Sequence, residues 1–132
     1  MSNNMKNKYI STGGELARQT YKAIQTCGVT SNRNLQQSHK LGRRQQTWWI
    51  NNFVALANEI ENRHLVLPNK NEDDALRFMI SEWTQEVTVV TRSGETKKRL
   101  AAKQGSLYTP DELTLEVIAS VANEFEKPYE GL

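Results

Sequence analysis

The chain has 132 residues, of which 37% are apolar and 24% charged, with a net charge of +2. That length suits one domain with a core of its own. No run approaches the ~18 apolar residues of a membrane span. The N-terminal MSNNMKNKYI lacks the apolar centre of a signal peptide. The one cysteine, Cys27, has no internal partner for a disulfide, so a cytoplasmic location with no membrane association is expected.

The small net charge hides a split. Residues 1–58 carry eight bases against Glu15 alone, a net of +7, while residues 59–132 carry nine bases against fourteen acids, a net of −5. No acid occurs between Leu16 and Asn58. A second basic cluster, Arg92, Lys97, Lys98, Arg99 and Lys103, interrupts the acidic half with only Glu95 against it. Such segregation suits a polyanion or a charged protein partner, although solvated faces with no partner produce the same pattern.

Residues 1–8 are polar and are expected to be disordered. Tyr9 and Ile10 then precede Thr12 and Glu15, spaced as a capping box with an apolar staple before it. The helix that follows carries Leu16, Ala17, Tyr21, Ile24 and Cys27 on one side and stops at Gly28. A second helix can start at Thr30 or Ser31. Its only apolar residues are Leu35 and Leu41, so it is either a short surface helix or a continuation across Gly42 into the next one. A glycine inside a helix costs about 1 kcal/mol relative to alanine.

The central stretch, RRQQTWWINNFVALANEIENRHLVL, has the clearest plan. Trp49, Phe53, Leu56, Ala57 and Ile60 share one helical stripe, the pattern of a buried face. Trp48 points roughly 100° away, on the side of Arg44, Asn51 and Ala55. Pro68 predicts that this helix ends near Arg63 or Leu65. Asn71 then caps a helix whose leading acids suit the positive end of the helix dipole. Leu76, Met79, Ile80, Trp83, Val87 and Val90 keep helical phase, which favours one helix as far as Val90 or Thr91. The competing reading is a β-hairpin over residues 87–100, supported by the β-branched run and Gly94. In the favoured reading, Glu95 to Gln104 forms a short basic helix. Thr109 as cap with Pro110 at the first helical position opens the last helix, with Leu115, Ile118, Val121, Ala122 and Phe125 as its stripe. The expected fold is an all-α, single-domain bundle of four main helices plus one or two short ones.

Little points to catalysis. His39 and His64 are isolated, and neither HExxH nor paired CxxC occurs, so no metal and no cofactor are expected. Asp73 and Asp74 are adjacent and diverge on a helix, and their place in a first turn has an ordinary capping explanation. Cys27 sits on an apolar stripe, which argues against a nucleophile. Gly13 and Gly14 could present backbone N–H groups to a phosphate, but a capped helix accounts for them better.

The basic and aromatic surface remains. Arg44 and Trp48 are helical neighbours, with Lys40 a turn earlier and Asn51 a turn later. Lys and Arg neutralise phosphates while a tryptophan stacks on a base. Alternatively, Trp48 wedges between two helices as part of the core. The favoured expectation is a non-enzymatic nucleic-acid-binding protein, an accessory subunit of a nucleoprotein complex with little sequence specificity. Arg33, Lys40, Arg43 and Arg44 are its expected main contacts, joined by Trp48 and Asn51, with Lys97, Lys98 and Arg99 as a second set. The alternative is an adaptor or inhibitor that binds protein through charged patches and Trp48. The charge split also suggests head-to-tail self-association.

Overall fold

The computed structural model describes residues 12–26, 43–105 and 108–127. Four helices occur among them: α1 (Thr12–Thr26), α2 (Arg43–Arg63), α3 (Lys70–Trp83) and α4 (Glu112–Glu126). Between α3 and α4 lie strands β1 (Thr84–Val90) and β2 (Thr96–Ala102), which form a two-stranded antiparallel sheet. The expected all-α bundle is therefore corrected: the fold is mostly helical but contains a β-hairpin. Cys27, Gly28, the helix expected after Thr30 and the segment 1–8 lie outside the described residues.

The helical stripes are where the periodicity places them. Trp49, Phe53, Leu56, Ala57 and Ile60 are completely buried. Ala17 and Ile24 of α1 and Ile118 and Val121 of α4 join them in one cluster. Helix α1 packs on both α2 and α4. Gly13 makes the second approach possible, because a Cβ there would lie 2.6 Å from the Phe125 ring. Both Gly13 and Gly14 are buried, which is a packing role and leaves no open phosphate cradle. Trp49, Phe53 and Trp83 form an edge-to-face triad with centroids 5.1–5.9 Å apart. Trp49 also donates Nε1–H to the Tyr108 carbonyl at 2.9 Å, so its polar tip is satisfied inside the core.

One helix end falls where expected, and two helix starts do not. Helix α2 ends at Arg63 because His64 turns left-handed, with φ 53°. His64 N–H then donates to the Glu61 carbonyl at 3.2 Å and Leu65 N–H to the Ile60 carbonyl at 3.0 Å, which is a Schellman closure with a non-glycine residue at its turning point. The cap of α3 is Asn69 rather than Asn71, with Asn69 Oδ1 accepting from Glu72 N–H at 3.0 Å. The cap of α4 is Asp111 rather than Thr109. Asp111 Oδ1 accepts from Thr114 N–H at 2.9 Å, and Thr114 Oγ1 accepts from Asp111 N–H at 3.1 Å.

The hairpin replaces both the extension of α3 to Val90 and the basic helix over 95–104. Trp83 docks into the aromatic triad, and Thr84 turns extended at φ −128°, ψ 161° while its hydroxyl caps the Ile80 carbonyl at 2.6 Å. From there the β-branched run favours a strand. Val90, which helical phase would set in line with Trp83, is 70% exposed. The turn is a three-residue loop: Gly94 N–H donates to the Thr91 carbonyl at 2.9 Å, Thr91 N–H to the Glu95 carbonyl at 2.8 Å, and Gly94 has φ 87°.

Candidate nucleic-acid interface

Alternation along β2 decides what its basic run can do. Val87 lies opposite Arg99, Val89 opposite Lys97 and Thr88 opposite Lys98. Side chains alternate across a strand, so Lys97 and Arg99 leave one face and Lys98 the other. The Lys98 face carries Thr84, Glu86, Leu100 and Ala102. At its base it packs on the core through Leu100 and Ala102. There Lys98 Nζ is 3.9 Å from Glu86 Oε1, which partly neutralises it. The opposite face carries Gln85, Val87, Val89, Lys97, Arg99 and Ala101, with no carboxylate within the two strands, and Glu95, which pairs with Thr91 at the turn, is the nearest acid to Lys97 along the chain. Lys97 and Arg99 are exposed there, about 7 Å apart along the strand. Val87 and Val89 are half-buried, although they do not join the core. The aliphatic stems of the two cations opposite them can supply that cover. Lys103, just past β2, is tied to the body of the protein through the Ser81 carbonyl, 3.3 Å from its Nζ.

Asn58 holds the hairpin against α2. Its Nδ2 donates to the Leu100 carbonyl at 3.0 Å, and its Oδ1 accepts from Leu100 N–H at 2.8 Å. One amide side chain thus mimics a neighbouring strand for a single residue. No periodicity marks Asn58 for this, since the partner is 42 residues away.

On α2, Trp48 is 48% exposed. The wedge between helices is thereby overturned: Trp49 takes the core position, and Trp48 faces outward with Asn51 and Ala55, both exposed. Asn52 donates its amide to the Trp48 carbonyl at 3.0 Å, so it is occupied by its own helix. Arg43 and Arg44 lie in α2, with their side chains outside the described residues, as are Arg33 and Lys40 altogether. Among the described residues the expected sites lie on different elements, Trp48 and Asn51 on α2 and Lys97, Lys98 and Arg99 on β2. Leu100 is fixed at Asn58, ten residues or about 15 Å along α2 from Trp48. Just past Asn58, α2 also acquires carboxylates, with Glu59 accepting from Arg63 at 2.7 Å and Glu61 accepting from Arg77 at 3.1 Å.

Other candidates for chemistry have structural partners. Asp73 Oδ1 accepts from Leu67 N–H at 2.9 Å, and Asp74 faces Lys70 at 3.4 Å, so the two carboxylates do not share a site. Arg77 bridges Glu61 at 3.1 Å and Asp73 at 3.3 Å and donates to the Leu65 carbonyl, which locks the α2–α3 connection. Among the described residues no group of three His, Cys, Asp or Glu side chains is placed to hold a metal ion. No helix among them is long and apolar enough to cross a membrane. Comparison with protein-family models, curated proteins and solved structures finds no match.

Proposed function

We propose that this chain is a non-enzymatic nucleic-acid-binding protein, an accessory subunit of a nucleoprotein complex, that contacts the phosphate backbone with little sequence specificity. The observation that carries the reading is the solvent face of the hairpin. Lys97 and Arg99 are exposed on it, opposite the half-buried Val89 and Val87, and the paired strands set no carboxylate on that face. A two-stranded ribbon is narrow enough to enter a groove, and paired cations on it neutralise phosphates. Arg43, Arg44, Trp48 and Asn51 form a separate contact on α2, where the exposed indole stacks on an unpaired base.

Binding is tested by fluorescence anisotropy with single- and double-stranded DNA and RNA across a salt series. Replacing Lys97 and Arg99 together with alanine is expected to weaken binding at every sequence and to lower the salt slope by about two. Lys98→Ala, on the other face and beside Glu86, is expected to change the slope by much less. Equal effects from Lys98 and Arg99 would remove the hairpin face from the account. If the wild-type chain binds no nucleic acid at low salt, the adaptor reading replaces this one. The exposed Trp48 favours that second reading, as a hot spot for a protein partner.

A further inference from the structure

The ladder uses only one set of backbone groups on each strand. Lys103 N–H donates to the Trp83 carbonyl at 3.0 Å and Thr91 N–H to the Glu95 carbonyl at 2.8 Å, so the odd-numbered residues of β1 face β2. The even-numbered residues of both strands direct their N–H and C=O groups outward. On β2 this outer edge meets α2, where Asn58 brackets Leu100, and farther out it is guarded by Lys97, Lys98 and Arg99. On β1 the outer edge consists of Glu86, Thr88 and Val90, all exposed. Among the described residues none of their backbone groups has a hydrogen-bond partner outside the strand. Strand β1, TQEVTVV, has one charge, no proline and five β-branched residues. Edges that stay single are normally blunted by charged side chains, proline or a bulge, and β1 has only Glu86.

We propose that a second copy of this chain pairs with that edge, β1 antiparallel to β1, about a two-fold axis at Thr88. The two hairpins then form one sheet in the order β2–β1–β1–β2. The edge is complementary to itself in this register. Val87 falls opposite Val89 of the second copy, and Val89 opposite Val87, on the face that also carries Lys97 and Arg99. On the other face Glu86 lies opposite Val90 of the second copy and diagonal to its Arg92, within reach of a long side chain. Shifting the axis to Glu86 would instead set two carboxylates against each other. The contact is isologous and closes at two copies, unlike the head-to-tail rows expected from the charge split. It does not depend on nucleic-acid binding. Its product is one continuous face on which four valines are flanked by two cations at each side.

Sedimentation equilibrium of the full chain without nucleic acid, from about 1 μM to about 1 mM, tests this. The expected result is a monomer–dimer equilibrium that stops at the dimer. Thr88→Pro removes the N–H that each copy donates across the axis and spares the ladder, where the Thr88 N–H takes no part. It is expected to weaken the dimer about thirtyfold, with the far-ultraviolet spectrum unchanged. Thr88→Lys sets two ammonium groups opposite each other without touching the backbone, and it is expected to weaken the dimer even if the proline variant fails to fold. A monomer at every concentration, growth beyond two copies, or a dimer as tight in Thr88→Lys as in the wild type overturns the proposal.

Discussion

Two neighbouring tryptophans have opposite duties. Trp49 is wholly buried, hydrogen-bonded to the Tyr108 carbonyl and stacked edge-to-face on Phe53 and Trp83. Trp48, one residue earlier, keeps about half its surface in water. Trp48→Ala is therefore expected to lower stability by about 2 kcal/mol, less than the roughly 3–5 kcal/mol of a core tryptophan. If the indole stacks on a base, the same substitution costs roughly 1–3 kcal/mol of binding. Thermal melting and anisotropy on one preparation separate the two effects, and a large fall in melting temperature would return Trp48 to the core. Asn58 is a different kind of residue, polar and half-buried. Asn58→Ala leaves the Leu100 N–H and C=O without their partner, at a cost of about 1–3 kcal/mol. Amide exchange at Leu100 should accelerate, and unchanged protection there would show that Asn58 is not the clamp.

At the scale of elements, the helix ends are defined by side chains and turns that compete at short range. Helix α2 closes with His64 at φ 53°, a conformation in which a side chain is strained and glycine is not. Its two closing hydrogen bonds are already made by the backbone. His64→Gly should keep both and relieve the strain, raising stability by about 1 kcal/mol. Chemical denaturation measures this, and a loss of stability would mean that the imidazole contributes more than its backbone costs. The hairpin is the element with the least cover. Its base is held by Thr84, Leu100 and Ala102, whereas Val90 near its tip is largely exposed. Deletions that spare Leu100 should therefore leave the helical core intact.

On the scale of the whole molecule, the two basic regions are separate. The first lies on the N-terminal part of α2, and the second lies on a hairpin joined to that helix at Asn58, about 15 Å from Trp48. Sites that far apart act additively when they share no partner. Arg43 and Arg44 to alanine, combined with Lys97 and Arg99 to alanine, should therefore lower binding free energy by the sum of the two pairs' effects, with the salt slope falling by about four in total. Loss of all binding from either pair alone would instead indicate a single shared contact. Melting temperature should change little when Lys97 and Arg99 are replaced, because both side chains are exposed.

Local periodicity determined much of this fold. The stripe of Trp49, Phe53, Leu56, Ala57 and Ile60 is legible because a 3.6-residue repeat needs no knowledge of the partner face, and all five are buried. The same rule fails after Trp83, since Val87 and Val90 happen to keep helical phase with Ile80 and Trp83. What ends the helix there is the docking of Trp83 between Trp49 and Phe53, a contact across about thirty residues of sequence. Two helix starts lie two residues from the expected caps for a related reason. Asn69 and Asn71, or Thr109 and Asp111, are all competent caps, and the choice between them rests on how the preceding chain is held. Leu67 N–H on Asp73 and the Trp49 indole on the Tyr108 carbonyl hold it. The basic run 97–99 is visible as a cluster, because charge is additive along a chain. That Lys98 is set against Glu86 while Lys97 and Arg99 share the other face depends on strand alternation and register, which exist only once β1 and β2 have paired.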